Sequence, residues 1–199
     1  HKVYVTSSTT TITNGSEIVN SVDLEIGGQL IDRQTAEYMQ VVNELNTPES
    51  KAVGVKAMQG DVGTRGTTGV GMVQVPLQFY FCRNPGLALP LIALQYHEVK
   101  LKFTWGVSGT VGGEAAVKVM CDYIYLDTDE RRRFAQVSHE YLIEQVQVQT
   151  ATASTKSKLN FNHPVKELIW TSTATNAYDT AKLTLNGHDR FSAQEEEYF

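Results

Sequence analysis

The sequence predicts an all-β protein, a sandwich or closed β architecture, and two observations carry that expectation. Segment after segment alternates apolar and polar residues with period two, the pattern of strands that bury one face. Turn-forming residues punctuate these segments, and only one long stretch has the apolar spacing of a helix. The chain of 199 residues suits one β domain, or one domain with part of another, and its 41% hydrophobic content is enough for a core.

Taken in order, the first strand candidate is "KVYVTSSTTTITNG", rich in β-branched residues that fit a pleated surface. Within it, Asn14-Gly15-Ser16 fits a glycosylation acceptor, but Asn-Gly reads better as a hairpin turn. "VDLEI" is the next strand. In "DRQTAEYMQVVNEL", Tyr38, Val41, Val42 and Leu45 form one apolar stripe, with Asp32 as the expected helix cap and Thr47-Pro48 as the stop. The stretch Gly60 to Gly71 reads as a mobile loop. No Gly-Lys-Ser/Thr follows it, so it is not a phosphate loop.

"MVQVPLQFYF" places Val73, Val75, Leu77, Phe79 and Phe81 on one face of a strand. "HEVKLKFTW" turns Val99, Leu101, Phe103 and Trp105 inward and Glu98, Lys100, Lys102 and Thr104 outward. "AAVKVMCDYIYL" alternates in the same way. A short helix is expected from Ser138, carrying Tyr141 and Leu142, and "YLIEQVQVQT", "KLNF", "ELIWTST" and "KLTLNG" complete the strand candidates.

A weak internal repeat organises the chain. Setting Gly28 of "VDLEIGGQLIDRQTAEYM" against Gly187 of "AKLTLNGHDRFSAQEEEYF" pairs Leu24 with Leu183 and Ile26 with Leu185. With one added residue, Glu37-Tyr38 aligns with Glu197-Tyr198. Each copy reads as a short strand, a glycine turn and a polar lead into a helix, at an offset about the size of a β-sandwich domain. The expected division is residues 1–150 as a first domain and 151–199 as a linker and the start of a second, with the linker composition in Thr150 to Lys158.

Chemistry is sparse. The five histidines, His1, His97, His139, His163 and His188, include no pair at zinc-ligand spacing. His97 reads as a hydrogen-bonded core histidine and His163, before Pro164, as the start of a strand. Asp127, Asp129 and Glu130 sit beside Arg131-Arg132-Arg133, which would keep them ionised and unsuited to general-acid work, so the run reads as a self-paired surface turn. "QEEEY" reads as a solvated helix face. Cys82 and Cys121 make no disulfide framework and read as small buried hydrophobes. No serine occupies a nucleophile elbow. These readings give no catalytic, cofactor-binding or metal-binding residues. The net charge of −5 argues against a sequence-independent nucleic-acid binder. No apolar run approaches the about 20 residues that cross a bilayer.

The most distinctive stretch is "RNPGLALPLIALQYHEVKLKFTW", Arg83 to Trp105: a turn, a nearly unbroken apolar loop interrupted by Pro90, then an alternating strand. Arg83–Phe103 closely resembles a signature segment of the major capsid proteins of nucleocytoplasmic large DNA viruses, of phycodnavirus and iridovirus type. "VDLEIGGQLID", "VPLQFYF", "YIYLDTDERRRFAQVSHEYLIEQVQ", "LNFNHPVKELIW" and "LTLNGHDRF" extend the resemblance along most of the chain.

The resemblance implies a jelly-roll β-sandwich: most of the first barrel of a tandem double jelly roll, with opening strands missing before His1, plus the opening strands of the second. It implies a structural, non-enzymatic role without cofactor. The family's homotrimers form pseudo-hexagonal capsomers of an icosahedral shell, assembled in the host cytoplasm. The implied partners are neighbouring capsomers and minor capsid proteins. An inner viral membrane is involved only indirectly, and nucleic acid is not contacted directly. A rigid apolar loop suits packing between barrels or subunits, since prolines fix its shape before association. The alternative is a carbohydrate-binding, lectin-like jelly roll, which exposed stacking aromatics would favour. Here Tyr80, Phe81, Tyr96 and Trp105 read as interior or strand-borne. A cupin-type enzyme lacks its histidine pair.

Overall fold

The computed structural model describes residues 3–6, 19–59, 72–106, 117–150, 156–170 and 178–199. The Asn14-Gly15-Ser16 turn and the glycine-rich stretch 60–71 lie outside them. The chain forms two compact units, His1–Val148 and Gln149–Phe199.

In the first unit, β2 (Val19–Ile26) is the central strand of an antiparallel sheet, flanked by β3 (Gln29–Thr35) and β5 (Val99–Trp105). Period two sorts its faces. Val22 pairs with Gln34 and Phe103, and Leu24 with Asp32 and Leu101. Val22, Leu24, Asp32 and Gln34 are buried, and Leu101 and Phe103 half-buried. The other face carries charge. Asp23 sits between Arg33 and Lys102, and Glu25 pairs with Lys100, so opposite charges alternate across the strands. Arg33 Nε lies 2.6 Å from Asp23 and Lys102 Nζ 2.5 Å from Glu25. The hydrogen bond from Arg33 holds the Asp23 carboxyl below its ordinary range.

A second three-stranded sheet has β1 (Val3–Thr6) between β4 (Met72–Val75) and β6 (Val117–Val119), all antiparallel to it. One core draws on both sheets: Val19, Val22 and Leu24 join Val75, Leu77, Phe79, Tyr80, Phe81 and Met39. Burying each such side chain stabilises by about 1.5–3 kcal/mol. The expected face of Val75, Leu77, Phe79 and Phe81 is indeed buried, but β4 ends at Val75. Residues 76–79 belong to no ladder, and Tyr80–Arg83 forms one helical turn, α3.

Helices lie beside these sheets. α1 (Ala36–Asn46) is capped by Thr35, whose Oγ1 accepts from the Tyr38 amide at 3.3 Å, and ends at Thr47. Asp32 is therefore not the cap; it belongs to β3. The buried stripe is Met39, Val42 and Asn43, and Leu45 is 63% exposed, because the helix packs a face rotated from the expected one. α2 (Glu49–Gln59) had no strong periodic signal. α4 (Thr128–Gln136) occupies the run expected to be a charged turn. Asp127 Oδ1 accepts from the Glu130 amide at 2.9 Å, and acid first turn and basic last turn complement the helix dipole. The helix expected from Ser138 does not form, and residues 138–150 are neither helix nor strand. Among the described residues of "AAVKVMCDYIYL", only Val117–Val119 pairs. Extended segments become strands only where a neighbour completes the ladder.

The second unit holds short pairs, β7 (Thr180–Ala181) with β10 (Gln194–Glu195) and β8 (Thr184–Leu185) with β9 (His188–Asp189). "QEEEY" is thus part strand and part 3-10 turn, Glu196–Tyr198, rather than a helix face. "KLNF" and the described residues of "ELIWTST" form no ladder, and His163 lies exposed in a bend.

The repeat appears in the turns. β2 and β3 are joined by Gly27 (φ 60) and Gly28 (φ 82), β8 and β9 by Asn186 (φ 50) and Gly187 (φ 83). Positive φ at both central residues marks the hairpin turn whose twist matches its strands. Nothing lies near a Cβ built on Gly28 or Gly187. Replacing either with alanine should therefore cost about 1–2 kcal/mol through backbone strain alone. Denaturation with hydrogen exchange at each hairpin checks this; a clear loss at one and none at the other would contradict the shared turn.

Candidate assembly surface

The loop between α3 and β5 is built from both ends. Asn84 Oδ1 accepts from the Gly86 amide at 2.9 Å, starting the 3-10 turn Pro85–Leu87. The Pro90 carbonyl accepts from the Ala93 and Leu94 amides at 2.9 and 3.1 Å, and the His97 amide donates to the Leu94 carbonyl at 2.8 Å. The Gly27 amide donates to the Glu98 carbonyl at 3.0 Å, which pins the loop's end to the β2–β3 turn. Internal hydrogen bonds and two prolines fix the loop's shape.

Its apolar residues divide. Leu87 and Leu89 pack against the core, whereas Leu91 is 48% and Tyr96 88% exposed. Tyr96 is thus not interior as expected, and Trp105, stacked on Phe103 at 5.5 Å, is 39% exposed; Tyr80 and Phe81 are buried. Under the loop opens a cleft of about 410 Å3, lined by Ile26, Leu89, Pro90, Leu94, Phe134 and His139 among others. Met120, Tyr123, Ile124, Tyr125, Val137 and Leu142 are all more than half exposed.

The histidines do not converge. His97 is exposed, not a core residue; its ring lies over Gly27, where an added Cβ would come within 2.7 Å of Nδ1. The loop turns before β5 begins, which takes His97 out of the strand's alternation. His139 Nε2 lies 2.7 Å from the Phe134 carbonyl, with its ring stacked on Phe134 at 5.1 Å. Among the described residues no group of three His, Cys, Asp or Glu could hold a metal ion. Cys82 is half-buried and its thiol is pushed up to about 11 by burial, while Cys121 is exposed, contrary to expectation, because its segment has left the sheet. Among the described residues no helix is long and apolar enough to cross a membrane.

Sequence reasoning missed the polar pair that supports the loop's start. Asp32, 3% exposed, accepts from the Val146 amide at 2.9 Å, the Arg33 amide at 3.0 Å and the Gln34 side chain at 3.4 Å. Gln34, fully buried, accepts from the Gln78 amide at 3.0 Å. Beside them, Gln145 Nε2 donates to the Ile31 carbonyl at 2.5 Å, and Arg83 reaches Glu144 at 3.1 Å. The available signal was two polar residues, spaced by two, on the apolar face of a strand. Burial raises the Asp32 carboxyl above its ordinary 3.8, opposed by these hydrogen bonds and the charge of Arg83.

The described residues of the first unit thus form two three-stranded antiparallel sheets that share one core, with a hydrogen-bonded apolar loop left partly exposed. A family model described as major capsid protein N-terminus matches residues 2–127, and one described as large eukaryotic DNA virus major capsid protein matches residues 130–181. The chain belongs to this family of major capsid proteins. It is similar to the major capsid protein of Pyramimonas orientalis virus, 47% identical over all of this chain and 57% of that protein. It is 36% identical to that of Paramecium bursaria Chlorella virus 1, over 96% of this chain and 57% of that protein. A quasi-atomic structure of the latter virus's capsid matches with a TM-score of 0.75 and 33% identity, covering 100% of this chain and 63% of that one. The chain therefore spans a little over half the length of these curated relatives. The fold is most of the first jelly roll of a tandem double jelly roll with the opening of the second. A lectin-like reading finds no support in these matches.

Two expectations follow for Asp32. Asp32→Ala strands the part-buried Val146 amide and should cost about 1–3 kcal/mol in chemical denaturation. Because the folded-state pKa is raised, the folded chain binds more protons than the unfolded chain from 3.8 up to the folded value, so this group's contribution falls as pH rises through that window. Asp32→Asn lacks this term. Its stability relative to the parent should rise with pH across the window and level off above it; a flat or falling difference would contradict the assignment.

Proposed function

We propose that the chain is part of a structural capsid protein that acts by assembly and not by catalysis. The observation that carries this reading is the family match together with a stiff loop that leaves apolar side chains in water. In the full-length form, residues 1–150 make most of a first jelly-roll domain, and residues 151–199 are the linker and the start of a second. Three copies form a homotrimer whose barrels make a pseudo-hexagonal capsomer. Capsomers pack against one another and against minor capsid proteins in the icosahedral shell of a virion assembled in the host cytoplasm. An inner membrane lies between shell and genome. With a net charge of −5, the chain is suited to a layer that does not touch DNA directly.

Leu91 is the cleanest probe of this reading, since it stands on the outer side of the loop while Leu89 also packs on the core. Burying a leucine at an interface contributes about 1.5–3 kcal/mol, and an aspartate there adds a desolvation cost. In analytical ultracentrifugation of the full-length protein, Leu91→Asp should shift trimer toward monomer with the fold intact. A parent that is monomeric, or a trimer indifferent to Leu91→Asp, would overturn the placement of this loop in the interface.

A further inference from the structure

The turn between β8 and β9 differs from its counterpart between β2 and β3 in one residue, and that residue is chemically labile. The first turn is Gly27-Gly28, and His97 Nδ1 would lie 2.7 Å from a Cβ on Gly27, so a side chain there has no room unless the imidazole moves. In the second turn the equivalent residue is Asn186, exposed and followed by Gly187, where an added Cβ would meet nothing within 4 Å. The side-chain bonds of this hairpin lie below the turn. Lys182 Nζ is 3.1 Å from Asp189, Thr184 Oγ1 donates to Asp189 at 3.3 Å, and the Arg190 amide donates to the Leu183 carbonyl at 2.9 Å. The hairpin is pinned at its base, and its tip is open to solvent.

We propose that Asn186-Gly187 is a site of spontaneous covalent modification, at which the asparagine is converted to aspartate and isoaspartate without an enzyme. A base removes the proton from the Gly187 N–H, and that nitrogen attacks Asn186 Cγ. The new C–N bond forms as the bond from Cγ to the side-chain nitrogen breaks, and ammonia leaves carrying the proton. The result is a succinimide ring at the tip of the turn. Water then adds to one of the two ring carbonyls. Opening on one side gives aspartate, on the other isoaspartate. The net change is amide plus water to carboxylic acid plus ammonia, so no oxidant or reductant takes part.

Attack within one dipeptide gains from proximity, and glycine leaves the nitrogen unshielded. The consequences differ for the two products. Isoaspartate adds a methylene to the backbone, which a two-residue turn cannot take up without losing the register of its strands. Either product places a negative charge near Asp189. The first turn, with glycine at both positions, has no side-chain amide to lose.

The test is peptide mapping of the folded full-length protein after incubation at mildly alkaline pH and physiological temperature, with digestion at mildly acidic pH. Trypsin releases Leu183–Arg190 as one peptide, separate from the chain's other Asn-Gly, Asn14-Gly15. The acid form of this peptide should accumulate with time, with isoaspartate the larger product by electron-transfer fragmentation. Its rate should lie within about tenfold of that in the denaturant-unfolded chain, a barrier difference under about 1.4 kcal/mol. Asn186→Gly, which copies the first turn, should show no mass change at this peptide. A folded-state rate slower than that limit, with the unfolded chain reacting normally, would show that the hairpin protects the amide and would overturn the proposal.

Discussion

Two polar side chains on the buried face of β3, Asp32 and Gln34, hold the first unit together where its strand ladders stop. Residues 76–79 and 143–146 make no regular strand pairing, and a part-buried amide without a partner is costly. Gln34 accepts from Gln78, and Asp32 accepts from Val146. These two bonds let the flanking segments deliver Leu77 and Phe79 to the core cluster and Ile143 to its margin. The cost is a buried carboxylate, visible in the upward displacement of its pKa.

The apolar loop inherits its position from this arrangement. At its start, Arg83 is tied to Glu144, two residues from the amide that Asp32 holds. At its end, Glu98 meets the β2–β3 turn and β5 pairs along the whole of β2. Between these fixed points, Leu87 and Leu89 are drawn to the core and Leu91 and Tyr96 are left outside. A loop already ordered loses little entropy on association, so exposed apolar area on it converts efficiently into affinity.

How much of this was legible follows from where the determining interactions lie. The alternation of β5 and the two positive-φ turns are local, and "VDLEI", "HEVKLKFTW" and the glycines announced them. The cap of α4 is local too: Asp127 followed by Glu130 is a helix-start pattern, but the adjoining charges favoured a turn reading. By contrast, "YLIEQVQVQT" alternates like a strand, and no local feature says whether a partner will pair with it. Asp32 looked like a cap because it precedes a helical pattern; its actual partner is Val146, far along the chain. His97 fitted the period of β5, yet the strand starts two residues later, and nothing short of the turn geometry reveals that. The apolar loop was legible as an odd composition; which leucines face outward required the fold.

We propose that the Arg83–Glu98 loop, held by this frame, is buried on assembly. Hydrogen–deuterium exchange of the full-length protein, compared between assembled capsomer and dissociated subunit, tests it most directly. Amides of Leu91, Gln95 and Tyr96 should gain protection on assembly, while those of β2, already protected by its two neighbours, should change little. Unchanged exchange in the loop, with protection gained only elsewhere, would contradict it.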